Sequence, residues 1–107
     1  MVLYLIQEKK NIDATADYDV ENKVFVVKKG SRVSKTVNHN TTFRSADSIE
    51  KMRANGVVVN GKVMKDVEFK SASTAANFIT GTSTNGLISW KNEKGICLKA
   101  ILEGEDK

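Results

Sequence analysis

The first third of the chain contains three short segments in which apolar residues dominate or alternate with polar ones. Val2 to Ile6 is apolar or aromatic throughout, which predicts a buried strand. Residues 12–18 alternate between apolar and polar side chains, and this two-residue period predicts a half-buried strand. Residues 23–28 hold a β-branched and aromatic run that predicts a third strand. Because the connections are short, an antiparallel meander is the expected pairing.

Two later segments have the spacing of short amphipathic helices. Residues 46–54 place apolar side chains three apart, and Ser45 precedes them as a candidate hydroxyl N-cap. Residues 72–80 carry a narrow face of alanine and isoleucine, with Ser71 or Ser73 as the candidate cap and a glycine at the end. We therefore predict two short helices.

Asn60-Gly61 separates two apolar arms, residues 57–59 and 62–64. This dipeptide accepts the positive φ angles of a type I′ turn, so it predicts a β-hairpin. We expect Val67 and Phe69 to continue its second arm.

The end of the chain is less regular. Residues 87–90 predict another strand, and residues 96–102 predict a strand or a short helix. The expected fold class is therefore a small α+β domain with a mostly antiparallel sheet and two short helices, a single domain over residues 1–107. A common core should bury six large or closely packed side chains: Phe25, Val27, Phe69, Ala76, Ile79 and Trp90.

Length and composition narrow the class of protein. The 107 residues are 40% hydrophobic, enough for one packed core. No apolar run approaches the roughly 20 residues that a bilayer requires, so we expect no membrane partner. Cys97 is the single cysteine, and the apolar start lacks the charge order of a signal peptide, so we expect a reducing, cytoplasmic location.

The net charge of +4 is unevenly distributed. Acidic residues predominate in residues 1–22 and in the tail 103–107, whereas residues 23–102 are strongly basic. Residues 30–42 combine basic and polar side chains, and a loop of this length in a compact domain is typically functional or mobile. The charge pattern favours a polyanion such as nucleic acid about as well as it favours a solubilising surface.

Residues of the types used in catalysis are present, but their spacing does not support an active site. Gly81 and Gly86 have the spacing of a phosphate-binding loop, but Leu87 stands where that motif requires lysine. His39 and Cys97 are far apart, without the clustered partners of a metal site. We therefore expect a non-catalytic domain without metal or cofactor.

Several short motifs together resemble a known family. In the second half they are Phe69-Lys70-Ser71-Ala72-Ser73-Thr74-Ala75-Ala76, Thr80-Gly81, Asn85-Gly86 and Trp90-Lys91, and upstream the strand Phe25-Val26-Val27-Lys28-Lys29-Gly30-Ser31. From about residue 4 to about residue 98 the chain resembles the domain of unknown function 4357 family, a C-terminal companion of GIY-YIG nucleases and restriction-modification proteins. It is also similar to the RAMA domain of such systems. Ala72 stands where many family members have proline, and the GIY-YIG nuclease motif is absent.

The resemblance implies an accessory domain of a restriction-modification or nuclease system, and together with the basic charge it predicts weak, salt-dependent binding of duplex DNA. Phosphate contacts are expected from the basic residues Lys28, Lys29, Arg32, Lys35 and Arg44. Further candidates are the polar and basic residues around the second helix and its following turn: Ser71, Ser73, Thr82, Thr84, Asn85 and Lys91. The alternative is a protein-docking module that holds a nuclease or restriction subunit.

Overall fold

The computed structural model of the chain describes residues 1–39 and 45–104. Its strands are β1 (Val2–Gln7), β2 (Ile12–Asp19), β3 (Val24–Val27), β4 (Val58–Val59), β5 (Lys62–Val63) and β6 (Val67–Phe69). Its helices are α1 (Ala46–Arg53), α2 (Ala72–Thr80), α3 (Gly86–Ser89) and α4 (Leu98–Gly104), and a 3-10 turn spans Glu8–Lys10. The predicted α+β class, with a mostly antiparallel sheet, is confirmed.

The main sheet has the order β1-β2-β3-β6 and is antiparallel throughout. After β3 the chain runs beside β2 once more, where Arg32 and Asp13 exchange two backbone hydrogen bonds of 2.9 and 3.1 Å. On its other side Arg32 pairs with Lys62 of β5. This short segment therefore joins the β4–β5 hairpin to the main sheet.

Lys91 extends the main sheet at its β1 edge. Its backbone exchanges hydrogen bonds of 2.7 and 2.9 Å with Tyr4 of β1. Lys91 also pairs with Cys97, so the chain turns back on itself beyond β1. Strands β1 and β2 thus lie between Lys91 and Arg32.

The six predicted core residues are all buried, so that prediction is confirmed. Trp90 is fully buried, with its ring centroid 5.6 Å from that of Phe25 and its indole Nε1 donating to the Ala72 carbonyl at 3.1 Å. Helix α2 packs against β2, β3 and β6. The core therefore lies between the sheet and α2.

One face of β1 is exposed, contrary to the prediction of a fully buried strand. Leu3 and Leu5 are buried, but Val2 and Ile6 are 45% and 55% exposed. Side chains alternate between the faces of a strand, so Leu3 and Leu5 lie on one face of β1 and Val2 and Ile6 on the other. The apolar run in the sequence therefore does not correspond to two-sided burial.

The end of the chain contains the largest differences from the predicted elements. Residues 86–89 form a helix rather than a strand, because Asn85 Oδ1 accepts the Leu87 N–H at 3.0 Å as an N-cap. Residues 98–104 are helical, which decides between the two predicted alternatives for 96–102. Val67–Phe69 forms its own strand on β3, where Phe69 pairs with Phe25, instead of extending the hairpin.

The two predicted helices are confirmed, with one error at a cap. Ser71 Oγ accepts the Thr74 N–H at 3.2 Å, whereas the Ser45 side chain makes no capping bond. Asn60 and Gly61 have φ of 52° and 77°, as a type I′ hairpin turn requires. Within the described residues, no helix is long and apolar enough to cross a membrane.

Candidate nucleic-acid interface

A cleft of about 690 Å³ lies at the C-terminal end of α2. Its basic residues come from three separate parts of the sequence: Lys10, Arg32, Lys35 and Lys62. Polar side chains and glycines complete the lining: Asn11, Ser34, Thr36, Asn38, Asn60, Thr80, Thr82, Gly30, Gly61 and Gly81, with Val33. We call this region the basic cleft.

Three of the four basic side chains are positioned by strands, a β-bridge and a 3-10 turn. Lys10 ends the 3-10 turn before β2, and Lys62 begins β5 directly after the hairpin turn. Arg32 lies between β2 and β5, and its Nη1 donates to Asn11 Oδ1 at 3.2 Å. The cleft is therefore built on the sheet and its turns.

Residues 34–38 form the wall of the basic cleft over the end of α2. The Ser34 N–H donates to the Ile79 carbonyl at 2.9 Å, and the Asn38 N–H donates to the Gly81 carbonyl at 2.7 Å. Lys35 and Thr36 are exposed between these two attachments. The middle of the loop predicted at 30–42 is thus held at both ends by backbone hydrogen bonds.

Gly81 lets residues 34–38 pass this close to α2. Its φ of 74° ends the helix in the left-handed conformation. A Cβ at this position would meet the carbonyl oxygen of Thr36 and Ser34 Oγ. Glycine is therefore required here for both the helix end and the approach of the neighbouring segment.

Arg53 at the end of α1 is buried beneath this wall and donates to four oxygen atoms of the neighbouring segments. Its Nε and Nη2 donate to the Phe78 carbonyl, and its Nη1 donates to the Ser34 carbonyl at 2.7 Å. Nη2 also donates to Ser34 Oγ at 2.9 Å and to the Ile79 carbonyl at 3.2 Å. Burial lowers the pKa of Arg53 to about 10, which leaves the guanidinium protonated at neutral pH.

The basic cleft carries unbalanced positive charge. Among the described residues that line it, none is acidic. Asp13 faces Arg32 across the strands, yet no ion pair joins them in the described part of the chain. Like charges held in one concave site favour an anionic ligand that can neutralise them. No group of three metal-ligating side chains occurs within residues 1–39 and 45–104.

Three of the candidate residues from the sequence meet in the basic cleft: Arg32, Lys35 and Thr82. Lys28 and Lys29 do not line it. Lys28 Nζ pairs with Asp66 Oδ2 at 3.1 Å, and the Lys29 N–H donates to Asp66 Oδ1 at 2.8 Å. Both hydrogen bonds lower the pKa of Asp66, and the one from the Lys29 backbone N–H has the larger effect.

Four candidates around α2 make hydrogen bonds that hold the fold together. Ser71 caps the N-terminus of α2, at the opposite end from the basic cleft, and Ser73 Oγ accepts the Gly86 N–H at 3.1 Å. Thr84 Oγ1 bonds Thr80 Oγ1 at 2.6 Å, and Asn85 caps α3. Their side chains are thus already engaged within the domain.

Of the last two candidates, one lies away from the basic cleft and the other lies outside the described residues. Lys91 sits at the far edge of the sheet, where it lines a separate cavity with Tyr4 and Ile6. Arg44 lies outside the described residues.

Sequence reasoning missed Lys10 and Lys62. Lys62 directly follows the Asn-Gly turn, whose hairpin was predicted, so its place beside that turn could have been found. For Lys10 the sequence carries no such indication, because its place in the cleft depends on the pairing of Arg32 with β2.

The chain was compared with known families, curated proteins and solved structures. It matches the family described as domain of unknown function (DUF4357) over residues 4–102. No curated protein and no solved structure gave a significant match. Because the family match covers nearly the whole sequence and includes both the basic cleft and the Phe69–Lys91 motifs, the chain belongs to the DUF4357 family.

Proposed function

We propose that this domain is a non-catalytic accessory module that binds duplex DNA through phosphate contacts in the basic cleft. The resemblance to companions of GIY-YIG nucleases and restriction-modification proteins supports a role beside such an enzyme in the cytoplasm. The same resemblance suggests a nuclease or restriction subunit as a partner.

The convergence of Lys10, Arg32, Lys35 and Lys62 on one cleft carries this proposal. Phosphate contacts by lysine and arginine supply most of the sequence-independent affinity for DNA, through the release of condensed cations. Arg32 and Lys62 occupy paired strand positions, so their side chains leave the same face of the sheet. Together the four groups provide a concave, positively charged surface for a phosphate backbone.

The polar lining adds hydrogen-bond donors that suit phosphate oxygens. Thr36 and Thr82 contribute hydroxyl groups, and Asn60 contributes an amide, beside the basic side chains. Such contacts position DNA without reading its sequence. We therefore expect a dissociation constant of about 10⁻⁴–10⁻⁶ M at physiological salt, with little preference among sequences.

Fluorescence anisotropy of a labelled duplex, titrated from low to physiological salt, tests the proposal. The triple variant R32A/K35A/K62A should bind more weakly, and the slope of log affinity against log salt should fall by about one unit per lost contact. Duplexes of different sequence should lose affinity to the same extent, because the lost contacts are to phosphates.

A charge-matched triple variant is the control. K70A/K94A/K99A removes the same charge from exposed residues that do not line the basic cleft. It should reduce the salt slope by less than half as much as the cleft variant. Equal losses in the two variants, or absence of binding at low salt, would reject the cleft as a DNA site.

The same experiment also bears on the alternative, a protein-docking module. The observation that favours this alternative is the exposure of several large apolar side chains, including Ile6, Ile88 and Ile96. If duplex DNA does not bind and a nuclease or restriction subunit is retained with weak salt dependence, the docking function replaces DNA binding.

A further inference from the structure

We propose that Arg53 is a positioning residue of the basic cleft, which holds Ser34 against the end of α2 and so fixes where Lys35 meets a bound phosphate. This inference rests on the proposed function of the cleft. It assigns a role to Arg53, a buried side chain that does not line the basic cleft.

The contacts of Arg53 join three parts of the chain at one point. From α1, its guanidinium reaches the end of α2 through the carbonyl oxygens of Phe78 and Ile79. The same group holds Ser34 through both its carbonyl oxygen and its hydroxyl. A planar guanidinium with five donors can satisfy all these acceptors together, which a lysine ammonium cannot.

Ser34 transmits this constraint to its neighbour Lys35. The Ser34 N–H is bound to Ile79, its carbonyl to Arg53, and its hydroxyl donates to the Thr36 carbonyl at 2.9 Å. The backbone on both sides of Lys35 is therefore fixed while its own side chain remains exposed. The lysine is aimed by its backbone, with no described side-chain partner.

The position of Lys35 matters because it lines two cavities. One is the basic cleft, and the other is a cavity of about 700 Å³ whose lining includes Arg53 and Glu50. Lys35, Thr36, Asn60 and Gly61 line both. A small shift of the Lys35 backbone would therefore move its ammonium group from the basic cleft toward a cavity that contains a carboxylate.

Arg53 also affects the charge at the end of α2. The last carbonyl groups of a helix carry partial negative charge, which repels an anion. Here the Phe78 and Ile79 carbonyls accept hydrogen bonds from a buried cation. Removing the guanidinium would withdraw this positive charge from both carbonyls, although the Ile79 carbonyl would still accept the Ser34 N–H, and would thereby further weaken phosphate binding.

A double-mutant cycle on duplex DNA binding tests the positioning role. K35A is measured in the wild type and in R53M, and K10A is measured in the same two backgrounds. Lys10 also lines the basic cleft and has no described hydrogen bond with Arg53 or Ser34. In the wild type each single lysine substitution should weaken binding by about fivefold to tenfold near 0.1 M salt.

The expected result is selective coupling. In R53M, K35A should cost less than twofold, because Lys35 is no longer aimed at the phosphate, whereas K10A should keep its full cost. A general loss of folded protein would lower every affinity by one common factor and leave both ratios unchanged. R53K keeps the charge but should behave like R53M, because one ammonium cannot replace the bonds to Ser34 and to α2 together.

The outcomes separate this inference from the proposed function. If K35A costs the same in both backgrounds, or if the cost of K10A falls equally, Arg53 does not position Lys35 although the cleft still binds DNA. If neither lysine matters in the wild type, the proposed function fails and the inference fails with it. If R53M does not fold, S34A takes its place, since it removes one acceptor of Arg53, and the cost of K35A should again fall selectively.

Discussion

Gly81 and Thr36 approach so closely that a Cβ on residue 81 would lie well inside 3.0 Å of the Thr36 carbonyl oxygen. This contact places the wall of the basic cleft directly on the end of α2. The glycine that ends the helix and the segment that carries Lys35 are therefore one structural unit.

Substitution of Gly81 by alanine should destabilise the domain by about 2–4 kcal/mol. The methyl group would meet backbone and Ser34 Oγ at a φ of 74°, so both strain and steric overlap contribute. Chemical denaturation followed by circular dichroism measures the change in the free energy of unfolding.

Gly95→Ala is the matched control for that experiment. Gly95 has a φ of 80°, but nothing lies within 4 Å of its missing Cβ. Only the conformational cost of about 1 kcal/mol should remain. Equal losses at the two positions would mean that the segment 34–38 does not pack on Gly81.

Replacing Trp90 by alanine should cost about 3–5 kcal/mol, the usual range for deleting a buried aromatic side chain. The indole is fully buried against Phe25 and donates to the Ala72 carbonyl. Leu87→Ala, in the short helix α3 that ends directly before Trp90, changes a side chain that is 40% exposed and should cost less than about 1 kcal/mol. Urea denaturation of both variants checks the difference, and a small loss for Trp90→Ala would contradict the described core.

His39 should titrate above its ordinary pKa of 6.5. Its Nε2 lies 2.9 Å from Glu50 Oε1 and its Nδ1 lies 3.7 Å from Asp47 Oδ1. The hydrogen bond to Glu50 is the main cause that raises the pKa of His39, and the charge of Asp47 adds to it. Because His39 is the single histidine, its ring protons can be followed by NMR without ambiguity. Glu50→Gln should lower the pKa more than Asp47→Asn does.

The same contact gives a direction for the pH dependence of stability. A histidine whose pKa is raised on folding contributes stability below its unfolded pKa of about 6.5. That contribution is lost as the pH rises through the folded pKa. Wild type should therefore exceed Glu50→Gln in stability more at pH 6 than at pH 8.5, and an equal difference at the two pH values would show that the pair is not formed in solution.

Lys10 and Lys28 should differ in their effect on DNA binding although both are exposed lysines. Lys10 lines the basic cleft, whereas Lys28 lies outside it and is paired with Asp66. Lys10→Ala should reduce the salt slope by about one unit, and Lys28→Ala should reduce it by less than half of that. Anisotropy titrations of the two variants in parallel measure this difference. A larger effect of Lys28→Ala than of Lys10→Ala would place the interface at the end of β3, where the sequence alone predicts phosphate contacts.

Local patterns predicted much of this fold. The two-residue alternation of β2, the alanine face of α2 and the Asn60-Gly61 turn each have one favoured local structure, and all three were found. The apolar segment 87–90 has no single favoured local structure, because short apolar runs fit a strand or a helix equally well. There the Asn85 cap and the contact of Gly86 with α2 decided for the helix.

The candidate site was less accessible to sequence reasoning. Charge density along the chain pointed to Lys28, Lys29, Arg32 and Lys35 as one group, yet a turn at Gly30 separates the first two from the others. Lys10 and Lys62 join that group only through long-range strand pairing. No sequence pattern pointed to Arg53, because its role depends on carbonyl groups from two distant segments.

The unbalanced charge of the basic cleft also bears on how the domain responds to its surroundings. Cations held together without counter-charges repel one another and strain the free protein, while a bound anion relieves that strain. Multivalent anions such as phosphate should therefore raise the melting temperature more than chloride does at equal ionic strength. For the same reason, selection for thermal stability alone should favour replacement of these cations and erode the cleft.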